Sequence, residues 1–191
     1  MIQRSLVLLK PDAVQRGIVG EILQRFERAG LKIIGAKLIE ADKDIVEKHY
    51  KKDSEWHKKV GELNLKDCDA FGLSVQEIFG TDDAEEIGRA VNSWLYEMFD
   101  IGPVFAFVLE GPIAVRKIRD LVGSTYPDKA PPGTIRGDFG LDSAFSSMKR
   151  KRAVLNLIHA SGNVEEAEGE IGMWFKDEEI LDYKRIHEDL Y

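Results

Sequence analysis

Val104-Phe105-Ala106-Phe107-Val108-Leu109-Glu110 is an apolar run long enough for a central strand and too short for a typical helix. Gly111-Pro112 follows it and opens a helix carrying Ala114, Val115, Ile118 and Leu121. Upstream, the apolar run from Ser5 ends at Lys10, just before Pro11-Asp12, which puts Lys10 at the carboxyl end of a buried strand. Ile22, Leu23, Phe26 and Ala29 then share one face of a helix that Gly30 can terminate, and Leu31 to Glu40 returns as a strand. Downstream, Leu155 to Ile158 reads as a last short strand ending at His159. Val164 to Phe175 reads as a helix with Ala167, Ile171 and Trp174 on its apolar side. The order strand, helix, strand occurs twice.

Other segments elaborate that frame. Asp42 to Tyr50 looks like a short helix capped by Asp42. Residues 51–100 are expected to form two or three helices set into a smaller parent fold. Thr81-Asp82-Asp83 marks one helix start, where acidic residues suit the positive end of the dipole. Ile87, Val91, Leu95 and Met98 supply its apolar face. Residues 122–140 hold three prolines and four glycines with apolar anchors, which suits an ordered functional loop better than a linker. Within it Arg136, flanked by Gly137, is a natural fork for phosphate, since guanidinium offers paired donors and glycine lets backbone approach a ligand.

Composition narrows the class. A chain of 191 residues suits one domain, or one carrying a large insertion. With 43% hydrophobic and 32% charged residues it is neither disordered nor fibrous. The run Leu6 to Leu9 is too short for a signal peptide or a membrane span, and the single cysteine, Cys68, excludes an internal disulfide. A cytoplasmic location without membrane attachment is the expectation. The net charge of −7 lies wholly in residues 163–191, with ten acidic against three basic residues, while the rest balances at 24 against 24. Broad nucleic-acid binding is therefore not expected, whereas a small anion suits any place where basic residues converge. The run Lys149-Arg150-Lys151-Arg152 reads as a solvated basic patch, and Asp138-Phe139-Gly140 lacks the companion motifs of protein kinases.

The chemistry centres on Asn156-Leu157-Ile158-His159-Ala160-Ser161-Gly162-Asn163. Imidazole, with an ordinary pKa of about 6.5, is partly neutral at neutral pH and can attack an electrophile and leave again. Read alone, a histidine after Leu157-Ile158 is more often a hydrogen-bonded core residue. A turn at Ser161-Gly162-Asn163 would bring Glu170 back to the imidazole to fix its tautomer, although Glu170 also reads as one acid on a solvated helical face. Lys10 reads equally as a ligand contact or as the first solvated residue after its strand.

Four motifs in order alter that balance: Lys10-Pro11-Asp12, Gln15-Arg16-Gly17, Pro132-Gly133-Thr134-Ile135-Arg136-Gly137-Asp138-Phe139, and Asn156-x-x-His159-Ala160-Ser161. Together they closely resemble the nucleoside diphosphate kinases. The resemblance implies an α+β fold, a ferredoxin-like βαββαβ sandwich with a four-stranded antiparallel sheet and helices on one face, plus inserted helices. It implies a single domain with a helical insertion at about 51–100 and a shorter one at about 140–155. It also implies ping-pong transfer of a γ-phosphoryl group between nucleoside di- and triphosphates through a phosphorylated His159. By matching positions, Glu170 would orient His159, Ser161 would supply a neighbouring hydroxyl, and Tyr50 would lie beside the nucleophile. Lys10, Arg119, Thr125 and Arg136 would hold phosphates, while Asn156 and Lys10 would meet the sugar hydroxyls. Mg²⁺ would arrive on the nucleotide. Contacts of this kind read no base edge, so broad base specificity is implied, as is a homo-oligomer, hexamer or tetramer.

The sequence departs from the family at Gly162, where aspartate is common, and in the length of the segment between Tyr50 and Gly102. Trp56 is the candidate for stacking on the base, set against a packing role among the inserted helices. A competing reading is a non-catalytic interaction module that keeps a nucleotide pocket. It leaves unexplained why His159, Glu170 and the phosphate clamp occur together.

Overall fold

The computed structural model describes residues 1–186; the end of the acidic segment, 187–191, lies outside the described residues. Strand alternation sets the architecture. β1 (Ile2–Leu9) turns Leu6 and Leu8 to one side and Val7 and Leu9 to the other, and all four are fully buried. An uninterrupted apolar run is what a strand covered on both faces requires. The chain continues through α1 (Pro11–Gln15), α2 (Val19–Arg28), β2 (Lys32–Ile39), α3 (Lys43–His49), α4 (Ser54–Phe71), α5 (Val75–Phe79) and α6 (Ala84–Glu97). Then follow β3 (Val104–Pro112), α7 (Ala114–Val122), α8 (Ile135–Phe139), α9 (Ala144–Lys149), β4 (Ile158–Ala160) and α10 (Val164–Trp174).

The strands form one antiparallel sheet in the order β2-β3-β1-β4. The crossover helices lie on one face, as expected: Ile22 and Phe26 of α2 and Ile118 and Val122 of α7 pack with Val7, Leu9, Phe107 and Leu109. The other face is covered as well. Val46 of α3, Ile171 and Trp174 of α10, and Leu95 and Met98 at the end of α6 pack with Leu6, Leu8, Ala106 and Val108. Each large apolar side chain buried this way contributes roughly 1.5–3 kcal/mol relative to exposure.

The stretch from 51 to 100 forms three helices. Asp53 and Asp83 cap α4 and α6 by accepting from Trp56 N and Glu86 N, so the helix start read at Thr81-Asp82-Asp83 is found. The two helices cross in close contact because Gly61 rests on Ala84 and Gly88 on His57; a Cβ on either glycine would land on the facing carbonyl. α4 also meets α9, with Cys68 Sγ 3.9 Å from Met148 Sδ and the Phe71 and Phe145 rings edge-on at 5.6 Å. Helices from the two unusual stretches thus brace each other.

The outer edge of β2 is covered by the chain's own tail. Leu181 N donates to Ile34 O at 2.7 Å, and Tyr183 Oη to Ile33 O at 2.7 Å. Self-covering satisfies backbone groups that an edge strand otherwise leaves unpaired. No helix among the described residues is long and apolar enough to cross a membrane.

The last strand differs from expectation. It begins at Ile158, not Leu155, and runs past His159 to Ala160 instead of ending at His159. Leu157 has φ +69°, in the left-handed region, so extended pairing cannot begin before it.

Candidate active site

The strand that carries His159 is held by residues far from it in sequence. Leu157 N donates to Asp12 Oδ2 at 3.0 Å, and Lys10 N donates to Leu157 O at 2.9 Å. Arg136 donates from Nε to Asn156 O at 3.0 Å and from Nη2 to Ile158 O at 2.6 Å. A left-handed leucine costs of order 1–2 kcal/mol and persists where its surroundings over-determine it. Arg136 Nη1 also donates to Gly123 O at 3.1 Å and Ser124 O at 3.2 Å. The fork expected to face phosphate therefore spends four of its five N–H groups on carbonyls and has one to offer a ligand.

Above this brace opens a cleft of about 560 Å³. Lys10, Arg119, Thr125, Arg136 and Asn156 line it with His159, and Tyr50 and Trp56 form part of its wall. Every residue expected to touch substrate is thus brought to one cavity. Lys10 Nζ donates to Asn156 Oδ1 at 2.7 Å, and Asn156 Nδ2 donates to Thr125 O at 2.9 Å. Each end of that amide keeps one further hydrogen-bonding position. Trp56 is half-buried, with Lys52 Nζ 5.8 Å from its ring. Arg119 is exposed on α7.

Glu170 and Ser161 stand behind the imidazole. Both Glu170 carboxylate oxygens lie 3.0 Å from His159 Nε2, and Ser161 Oγ donates to Glu170 Oε2 at 2.6 Å. Glu170 is buried although the other three acids of its helix are solvated, because position 170 is on the face that carries Ala167, Ile171 and Trp174 inward. With the Nε2 hydrogen given to the carboxylate, the imidazole lone pair is on Nδ1. Tyr50 has its ring 6.1 Å from His159, and its buried hydroxyl has no hydrogen-bond partner among the described residues.

The electrostatics follow from burial beside cations. Burial, then the Lys10 charge, holds the His159 imidazole down to about 3 against the opposing influence of Glu166. It is neutral at neutral pH, the state a nucleophile needs. Burial and the Arg136 charge bring Lys10 down to about 7, against the pull of Asp12. Burial raises the Glu170 carboxyl, while His49 and the Ser161 bond oppose the rise.

Four residues at this site were not singled out from sequence. Asp12 fixes Leu157; its place inside Lys10-Pro11-Asp12 was the available signal. His49 accepts from Trp174 Nε1 at 3.2 Å and lies edge-on to His159 at 4.4 Å. Burial and His159 hold it down to about 3. Only adjacence to Tyr50 pointed to it. Lys52 and Glu166 also line the cleft, and among solvated charges nothing in their spacing marked them.

The donor set suits magnesium carried on a nucleotide. Glu166 is the one carboxylate among the described residues lining the cleft, so a magnesium ion there would find no cage of protein carboxylates and would take its other ligands from phosphate and water. His49, His159 and Glu170 do bring ligand atoms within 4.8 Å of one another, but two imidazoles are a poor match for a hard, oxygen-seeking cation.

Comparison with known proteins agrees with this geometry. The nucleoside diphosphate kinase family profile matches residues 3–61 and 76–180, passing over the second half of α4. The nucleoside diphosphate kinase of Pyrobaculum aerophilum is 44% identical over 181 residues, covering 95% of this chain and 99% of that one. That of Borreliella burgdorferi is 38% identical over 188 residues, covering 98% and 96%. The crystal structure of an NDP kinase from Pyrobaculum aerophilum superposes with a TM-score of 0.90 at 43% identity, over 95% of this chain and 100% of that one. A Borrelia burgdorferi nucleoside-diphosphate kinase, solved as a transition-state mimic with vanadate and ADP, gives a TM-score of 0.77 at 37% identity, over 100% and 96%. With a matching family profile, relatives alike over nearly their whole length, and the motif residues gathered around His159, this chain belongs to the nucleoside diphosphate kinase family.

Proposed function

We propose that the chain moves the γ-phosphoryl group of a nucleoside triphosphate to a nucleoside diphosphate in two half-reactions through His159. The carrying observation is the imidazole whose Nε2 is engaged by Glu170 at 3.0 Å in a cleft lined by Lys10, Lys52, Arg119 and Arg136. The Nδ1 lone pair forms a bond to γ-phosphorus as the bond to the bridging oxygen breaks, and that electron pair leaves on the β-phosphate of the diphosphate. Positive charge develops on the ring, and Glu170 faces it. A second diphosphate reverses the step, its terminal oxygen attacking phosphorus and the electron pair returning to Nδ1.

Lys10, Arg119, Thr125 and the remaining N–H of Arg136 clamp the phosphates, which accounts for most of the barrier lowering in a transfer with little other covalent chemistry. Magnesium on the nucleotide would neutralise charge on the bridging oxygens. Asn156 and Lys10 face the sugar hydroxyls, Tyr50 borders the nucleophile, and Trp56 stacks on the base. A stacked ring and sugar contacts leave base edges unread, so purine and pyrimidine nucleotides are both accepted. The Borrelia relative, solved as a transition-state mimic with bound vanadate and ADP, supports the phosphoryl-transfer reading.

In this reading the chain is one domain with insertions at about 51–100 and 140–155, works in the cytoplasm, and assembles as a homo-oligomer. The deciding experiment mixes the protein with Mg²⁺ and ATP labelled in its γ-phosphate. An acid-labile, alkali-stable label on His159, discharged by GDP, is expected. Absence of label, or full activity in His159→Ala, would sink the reading.

A further inference from the structure

Gly162 follows Ser161 at the mouth of the cleft, and the space a side chain there would fill is taken. A Cβ built on Gly162 would land on Glu166 Oε2 and lie 3.8 Å from Arg119 Nη1. Glu166 comes from the first turn of α10, whose cap Asn163 accepts from Glu166 N at 2.9 Å. Its Oε2 accepts from Gly162 N at 2.9 Å, while Oε1 accepts no hydrogen bond among the described residues. Nor does Glu166 form an ion pair with Arg119 among them, although both border the same point.

The setting makes that carboxylate unusual. Four cations, Lys10, Lys52, Arg119 and Arg136, line the cleft, and Glu166 is the one acid among its described lining residues. A carboxylate beside bare phosphate is repulsive, and at the short distances of a cleft such repulsion is not screened away. Beside a hydrated divalent cation on the phosphates, the same carboxylate is attractive and accepts from the cation's waters. Glu170 cannot serve this purpose, because its oxygens face His159 and Ser161.

Resting on the nucleotide reading above, we infer that Glu166, admitted by the missing side chain at 162, is the group by which this cleft selects the magnesium-bearing nucleotide over the free one. It is a specificity-determining residue that faces the metal's water shell. Arg119 is thereby left for phosphate.

The test compares ADP with excess MgCl₂ and ADP with EDTA, binding being read by calorimetry in the full-length chain. The wild type is expected to prefer the magnesium form. In Glu166→Gln the ratio of the two dissociation constants narrows roughly three- to tenfold, through tighter binding of free ADP as well as weaker binding of the magnesium form. Gly162 is not in the left-handed region, so a side chain is conformationally allowed there. Gly162→Asp combined with Glu166→Ala, which returns a carboxylate to the same space, is expected to recover the preference that Glu166→Ala alone loses. A helix-capping role for Glu166 would weaken both forms alike and lower Tm. An unchanged ratio in Glu166→Gln, or no recovery in the double variant, overturns the inference while leaving phosphoryl transfer standing. Failure of the wild type to bind ADP in either form overturns both.

Discussion

Arg136 Nη2 donates to the carbonyl of Ile158 at 2.6 Å, so the residue proposed to hold phosphate also fastens the strand that carries His159. Arg136→Lys keeps the charge but cannot reproduce a fork that reaches the carbonyls of 123, 124, 156 and 158. Loss of stability by about 2–4 kcal/mol is expected, alongside lower kcat. Chemical denaturation and steady-state kinetics on one preparation check both.

Lys10 predicts a proton linkage. Its ammonium is held down to about 7 in the free protein, and phosphate placed beside it favours the charged form. Below pH 7 the group is already protonated and binding takes up no proton there. Above pH 7 binding must take one up, so nucleotide affinity falls as pH rises, by at most about tenfold per unit. Calorimetry in two buffers of different ionisation enthalpy reads the uptake directly, and Lys10→Met should abolish it.

Ser161 Oγ, 2.6 Å from Glu170 Oε2, also accepts from Leu6 N at 3.2 Å. Ser161→Ala frees the carboxylate to move away from His159, and phosphorylation of His159 should slow roughly tenfold; Glu170→Gln should slow it about a hundredfold. Rapid-quench measurement of the first half-reaction distinguishes these from changes in product release.

Trp56→Ala removes the proposed stacking surface and should weaken ADP and GDP binding by similar factors, roughly five- to a hundredfold. A loss confined to one base would contradict a stacking role.

Gly88→Ala tests the helix crossing that carries Trp56. Its methyl group meets the His57 carbonyl, so the helices must separate, with a loss of about 1–3 kcal/mol and raised KM for every nucleotide. Thermal unfolding and KM should move together.

The strand-helix-strand pattern was legible because β1 and β3 carry apolar runs that only a sheet buried on both sides can use. The covering of the second face was not, since α3, α6 and α10 each show an ordinary amphipathic stripe with no mark of what it meets. His159, Lys10 and Arg136 stand in contiguous motifs, and the residues expected at the cleft converge there. Glu166 was hidden for a physical reason: a carboxylate in an acidic first turn looks like dipole complementation, and only the empty Cβ position of Gly162 shows where it points. Similarly, no local signal announces a left-handed leucine, because its conformation is imposed by Asp12, Lys10 and Arg136.

That leucine ties the site to parts of the chain remote from it in sequence. Leu157 is held by the first turn after β1 and its neighbours' carbonyls by Arg136, and Asp12 reaches it across 145 positions of chain. The geometry around His159 therefore rests on contacts between the two ends of the sheet-forming chain, and a change near residue 12 reaches it as directly as one beside it.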